Sequence, residues 1–211
     1  MTESVADTFR LFDTSIVSDA LDEHGIDGVI TGIEPAHPNQ RAVGRASTLR
    51  FERVDEPRET NFPFAMLHEL AADRVLAIDG VGPELSCWGG NASRLAANAG
   101  VSGVVVDGGY RDVPEVHGGE FPVFARGPTP KTGQRRVTVE GIGEPIAIDG
   151  VTVAPGDVIV ADATGVVVVP ADEAAVVAET AEGILGEELL LEAKIDAGAT
   201  VPDLQRDGHA F

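Results

Sequence analysis

A chain of 211 residues with 35 acidic against 15 basic side chains has a formal net charge of −20 and offers no basic face for nucleic-acid phosphates. Its 43% hydrophobic content is enough for a core, but no apolar run approaches the roughly 18 residues that a membrane span requires. The length suits one domain, 1–211, and no linker-like stretch divides it.

The first 20 residues carry Glu3, Asp7 and Asp13 without a basic run, which argues against a secretory signal. A helix is predicted from Thr14 to His24, capped by Thr14 or Ser15 and ended by Gly25, with Ile16, Val17, Ala20 and Leu21 as its apolar stripe. Ala46 to Arg53 alternates like a partly exposed strand. A helix from about Pro63 to Ala72 precedes a strand from Val75 to Ile78 that ends before Gly80. Asn91 then caps a short helix that Gly100 closes, so backbone N–H groups from Gly90 to Ser93 face outward and favour an anion. Gly103 to Val106 is a buried strand that stops at glycines and delivers Arg111 beside Asp112. An Arg grips a carboxylate with two parallel hydrogen bonds, and an Asp holds a divalent cation. Read as residues alone, the same dipeptide also fits a surface salt bridge in a turn.

Further short strands are predicted at Pro122 to Ala125, Val137 to Val139, Ala147 to Ile148, Val158 to Ala161 and Val166 to Val169. A long helix runs from Pro170 and Asp172-Glu173 towards Ala197. The mixture is α/β. Asp107 and Asp79 each read equally well as a metal-shell carboxylate or as a turn cap. His117 reads as a surface loop residue, and the five histidines lack metal-ligand spacing. Lys131 and Lys194 have no evident cause for a lowered pKa, so no Schiff-base lysine is indicated. The lone Cys87 cannot form an internal disulfide, which agrees with a reducing cytoplasm, and it reads as a small buried hydrophobe. Scattered acids at this density repel one another, and molar salt screens that repulsion, so a halophilic, high-salt cytoplasm is expected.

Several motifs in order resemble the RraA-like family of ribonuclease-activity regulators and 4-hydroxy-4-methyl-2-oxoglutarate aldolases. They are Ser18-Asp19-Ala20-Leu21, Val43 to Thr48, Trp88-Gly89, Gly103 to Asp112, Phe121 to Gly127, Pro155 to Asp162 and Gly165 to Pro170. The resemblance implies a swivelling three-layer β/β/α fold and a homotrimer or hexamer. It also implies a lyase that cleaves a C–C bond of a small 2-oxo acid to give pyruvate, with oxaloacetate decarboxylation alongside. Gly89, Gly90, Asn91 and Ala92 would bind the substrate carboxylate, Arg111 the oxo-acid, and Asp112 Mg²⁺ or Mn²⁺. An acidic residue from the C-terminal region of a neighbouring subunit can reach the site, and Glu187, Glu188 and Glu192 otherwise read as a solvated face. One departure stands out: aldolase members usually carry an acidic residue where this chain has Gly90, with twenty residues between it and Arg111. That departure favours the alternative function, a non-catalytic regulator that binds a partner protein such as a ribonuclease.

Overall fold

The computed structural model describes residues 5–56, 67 and 73–207. The predicted helix from about Pro63 to Ala72 therefore lies outside the described residues, Leu67 excepted. The chain opens with α1 (Val5–Thr8) and a 3-10 turn (Phe9–Leu11), followed by α2 (Thr14–Glu23). Strands β1 (Val29–Ile30), β2 (Glu34–Pro35), β3 (Ala42–Arg53) and β4 (Arg74–Trp88) come next, then α3 (Gly90–Asn98), β5 (Gly103–Tyr110) and α4 (Val113–Gly118). Strands β6 (Val123–Pro128), β7 (Val137–Ile142), β8 (Ile146–Ile148), β9 (Val151–Val153), β10 (Val158–Ala161) and β11 (Val166–Val169) lead to α5 (Ala174–Asp196) and α6 (Val201–Arg206).

One mixed sheet of order β1-β11-β10-β3-β4-β5-β6-β2 organises the chain, with β7 paired to β3. Its centre is parallel, β3 to β4 to β5 to β6, and both flanks are antiparallel. Alternation along the strands splits the core. Leu76, Ile78, Val104 and Val106 face α3 and α4, whereas Val75, Ala77, Val105 and Phe124 face the β8–β9 hairpin. Three layers result: helices, sheet and hairpin. On the helical side Phe9, Phe12, Val17 and Leu21 seal a further cluster against β10, β11 and α5. Because both faces are covered, Val158–Ala161 and Val166–Val169 are buried at every position, as their uninterrupted apolar runs require.

Two strands are longer than their local sequence suggests. β3 begins at Ala42 and is buried through Leu49 except at half-buried Arg45, because it lies between β10, β4 and β7 rather than at a sheet edge. β4 does not stop before Gly80. A Cβ there would lie 2.2 Å from the Asp107 carbonyl, so the glycine lets β4 pass close to β5. The strand then continues to Trp88 through register shifts after Ile78, Gly82 and Ser86. The continuation carries Trp88-Gly89 alongside Arg111.

α2 is capped by Asp13, whose side chain accepts from the Ile16 N–H at 2.9 Å, one residue earlier than predicted. Asp162, in the β10–β11 turn, accepts from the Thr14 N–H at 2.8 Å and the Thr14 hydroxyl at 2.7 Å. Burial works to raise the Asp162 pKa. The bonds from Thr14 and the Thr164 N–H, with the Arg41 charge 3.7 Å away, outweigh it and hold the carboxyl below its ordinary value. A depressed folded pKa stabilises the fold above the ordinary carboxylate range and loses that contribution as pH falls through the folded value. Asp162→Ala is therefore expected to cost about 2 kcal/mol in urea unfolding at pH 7 and clearly less below about pH 3.5. An equal cost at both pH values would disprove this role.

Candidate active site

Trp88 ends β4, and its carbonyl accepts from the Arg111 N–H at 3.1 Å, tying the ends of β4 and β5 together. Gly89 follows in extended geometry as the N-cap of α3, so the helix begins at Gly90 and not after Asn91 as predicted. The Trp88 indole N–H donates to Ser93 Oγ at 2.9 Å, and that hydroxyl donates to the Gly89 carbonyl at 3.1 Å. Trp88 also stacks on Phe121, with ring centroids 6.0 Å apart. These contacts fix the first turn of α3 against the strand that precedes it.

Asp112 sits in the left-handed region at φ 60° and ψ 46° and leads directly into α4. That turn points its carboxylate back at α3, where Oδ2 accepts the Gly90 N–H at 3.1 Å. The Arg111 Nε lies 3.5 Å from the same oxygen, and both side chains stay more than a third exposed. Gly89 makes this approach possible. A Cβ there would lie 2.7 Å from Asp112 Oδ2 and 3.1 Å from Arg111 Cγ. Gly89 and Gly90, which the sequence places more than twenty residues before Arg111 and Asp112, thus form one cluster with them.

The cluster floors an open cleft of about 230 Å³ that Asn91 and Ala92 also line. Gly90 spends its N–H on Asp112 and the Ser93 N–H returns to Gly89, so among the described residues no acceptor meets the N–H of Asn91 or Ala92. Those two donors at a helix start suit a carboxylate. Phe51 and Val137 give the cleft an apolar wall, with Thr132 and Gln134 on its polar side. The sequence gives no local sign that these four residues meet the Arg-Asp pair.

Glu115 is the chemically important residue that sequence reasoning missed. Its Cβ would stand 2.9 Å from a Cβ built on Gly90. The space that a side chain at Gly90 would fill therefore already belongs to an acidic residue of α4. A signal was present: Asp112-Val113-Pro114-Glu115 has the Asp-x-x-Glu spacing and early proline of a helix start, which puts Glu115 in the first turn behind Asp112. The donor set fits a hard divalent cation. Mg²⁺ commonly takes one or two carboxylates and keeps water for the rest of its shell, and Asp112 offers carboxylate oxygens at the open cleft, with Glu115 in the first turn of the helix that Asp112 leads into. Among the described residues no group of three His, Cys, Asp or Glu converges, so a closed all-protein cage is not the arrangement here.

The remaining candidates lie elsewhere. Asp107 is neither a metal-shell carboxylate nor a turn cap. It faces the hairpin side of the sheet and accepts from Arg126 Nε, and Arg126 also reaches Asp149 at 3.3 Å. Asp79 pairs with Arg50 at 3.4 Å on that same side, and burial is the main influence pushing its pKa up. His117 belongs to α4 rather than a loop, and its Nε2 lies 3.0 Å from the Tyr110 hydroxyl. Glu187, Glu188 and Glu192 are exposed on α5. Cys87 lines the cleft but is buried, and burial pushes its thiol up to about 11. It is protonated at neutral pH, so Cys87→Ala is expected to leave turnover within about twofold of the parent protein. Loss of activity on mild alkylation at pH 7.5 that Cys87→Ala prevents would contradict this.

Comparison with known proteins places the chain in a family. The RraA-like family (Aldolase/RraA) matches residues 14–168. Protein DlpA of Legionella pneumophila is 32% identical over 90% of this chain, which spans only 31% of that longer protein. A 4-hydroxy-4-methyl-2-oxoglutarate aldolase of Thermus thermophilus is 37% identical over 62% of this chain and 76% of its own length. RraAS2 of Streptomyces coelicolor, described as an unusual member of the RNase ES inhibitor RraA family, superposes with a TM-score of 0.83 at 27% identity. That superposition covers 90% of this chain and 97% of RraAS2. On the match over residues 14–168, the chain belongs to the RraA-like family.

Proposed function

We propose that this protein is a divalent-metal-dependent lyase that cleaves a C–C bond of a small 2-oxo acid to release pyruvate, with Mg²⁺ or Mn²⁺ as cofactor. The observation that carries this reading is the convergence of Arg111, Asp112 and the two open N–H groups of Asn91 and Ala92 around one cleft. The aldolase named among its relatives adds support.

Each residue then has a task. The N–H groups of Asn91 and Ala92 receive the substrate carboxylate at the start of α3. Arg111, exposed to the cleft, would set its guanidinium against the 2-oxo oxygen, where negative charge develops. The C4 hydroxyl gives its proton to water and becomes a carbonyl, the C3–C4 bond breaks, and its electron pair passes into the pyruvate enolate, which water then protonates at C3. Asp112 would hold the cation through the carboxylate that the Gly90 N–H keeps in place, and Glu115 would support the water shell from the first turn of α4. When bound, the cation supplies Lewis-acid polarisation of the 2-oxo acid. Phe51 and Val137 shield one side of the cleft from water. The same enolate chemistry decarboxylates oxaloacetate. The reading includes a homotrimer or hexamer, which the exposed Leu189, Leu190 and Ile195 at the end of α5 support.

The test is pyruvate release from 4-hydroxy-4-methyl-2-oxoglutarate and from oxaloacetate in molar KCl, with Mg²⁺ or Mn²⁺ and then with excess EDTA. Release that EDTA abolishes and fresh metal restores is the expected result. The second reading, a regulator of a partner protein, draws on the likeness to RraAS2. No release, together with no calorimetric binding of pyruvate in the presence of metal, would replace the lyase with that regulator.

A further inference from the structure

Four described arginines are half-buried: Arg45, Arg50, Arg74 and Arg126. Withdrawing a guanidinium from water is costly unless an anion answers it. Arg50 has Asp79, and Arg126 has Asp107 and Asp149. Arg45 and Arg74 have neither. Arg45 Nη1 donates to the Gly156 carbonyl at 2.8 Å, and Arg74 Nη1 donates to the Ala46 carbonyl at 3.4 Å. Among the described residues no carboxylate pairs with either, in a chain whose acids outnumber its bases 35 to 15.

Their placement is equally specific. Arg45 on β3 and Arg74 on β4 are direct partners in the parallel register, so their side chains leave the same face of the sheet from backbones about 4.8 Å apart. Both line a cavity of about 370 Å³ between the sheet and the N-terminal helices, together with Asp73 and with Arg10, whose charge Asp7, also at the cavity, already answers at 3.4 Å. Gly44 also lines the cavity, and a Cβ there would lie 3.0 Å from the Asp73 carbonyl, so the glycine lets β3 approach the start of β4 closely. The cavity lies where β4 begins, at the opposite end of that strand from Trp88 and the candidate active site.

We infer that Arg45 and Arg74 form a binding site for a doubly charged phosphate group, free or carried by a small ester. The carbonyl bonds fix each guanidinium through one nitrogen and leave the other N–H groups for a ligand. Two planar forks converging from adjacent strands match a compact tetrahedral group with several oxygens better than two separated carboxylates. Asp73 tunes the site against its ligand. Its exposed carboxylate stands at the cavity in the left-handed region at φ 57°, and it opposes an incoming anion.

The experiment is calorimetric titration of the full chain with inorganic phosphate, and separately with glycerol phosphate, at pH 7.5 and an ionic strength held constant with KCl. Saturable binding is expected; tighter binding of the ester would identify an esterified ligand, and equal or weaker binding a free one. Arg74→Gln and Arg45→Gln should each weaken binding at least tenfold. Asp73→Asn, which keeps a residue tolerant of the left-handed region, should tighten it about threefold or more. Should the arginine variants fail to fold, Asp73→Asn decides alone. No binding beyond that of KCl, unchanged affinity in both folded arginine variants, or no tightening in Asp73→Asn would overturn the site.

Discussion

Asp112→Asn is expected to lower metal-dependent pyruvate release by at least about 100-fold while leaving the folded structure in place. The reason lies in what the substitution spares. Asn tolerates the left-handed backbone that Asp112 adopts at φ 60°, and an amide oxygen can still accept the Gly90 N–H now bonded to Oδ2. Only the negative charge disappears, and with it the affinity for a hard cation. Thermal unfolding should shift by no more than a few degrees, and raising the metal concentration should recover part of the activity. A variant that turns over as fast as the parent at limiting metal would remove Asp112 from the reaction.

The second large effect concerns Glu115. The family resemblance implies an acidic residue at the position of Gly90, and in this chain the Cβ and Cγ of Glu115 stand over that glycine. Glu115→Gln should weaken metal affinity roughly 10- to 100-fold, as expected for a group that supports the metal shell. Gly90→Asp should make matters worse rather than better. Its Cβ would lie 2.9 Å from Glu115 Cβ, an atom close to the α4 backbone that cannot swing aside, so the start of α4 must shift. About 1–3 kcal/mol of stability should be lost, with activity down at least tenfold. Glu115→Gly removes the obstructing atom, and the next contact to a Gly90 Cβ is then Asp112 Cβ at 3.5 Å, an ordinary packing distance. The double variant Gly90→Asp/Glu115→Gly should therefore be more active than either single variant. Activities that simply multiply would show that the two positions do not share one task.

Local chemistry made much of the chain legible. Val158–Ala161 and Val166–Val169 were readable because uninterrupted valine-rich runs suit strands covered on both faces. The first long helix was readable from its apolar stripe and from Gly25, which takes φ 67° at its end. The Arg111–Asp112 pair was readable because glycines after a buried strand announce a close backbone approach. Where the signal was a competition between neighbours, sequence reasoning slipped. Asn91 looked like the cap of α3, but Gly89 holds that role because its missing side chain is what admits Asp112 and Arg111. Gly80 looked like a strand end, but it lets β4 run past β5 instead of turning away.

What the sequence by itself determined is the periodic elements, the α/β class and the presence of an Arg-Asp pair behind a glycine-rich turn. Each depends on residues within a few positions of one another, where backbone geometry and side-chain alternation act directly. Only the tertiary structure decided that Glu115 occupies the space over Gly90, that Phe51 and Val137 wall the cleft, and that Arg45 and Arg74 stand side by side without a carboxylate partner among the described residues. Those facts depend on strand order and register. Parallel pairing brings together positions tens of residues apart, and no local propensity encodes which of them will meet.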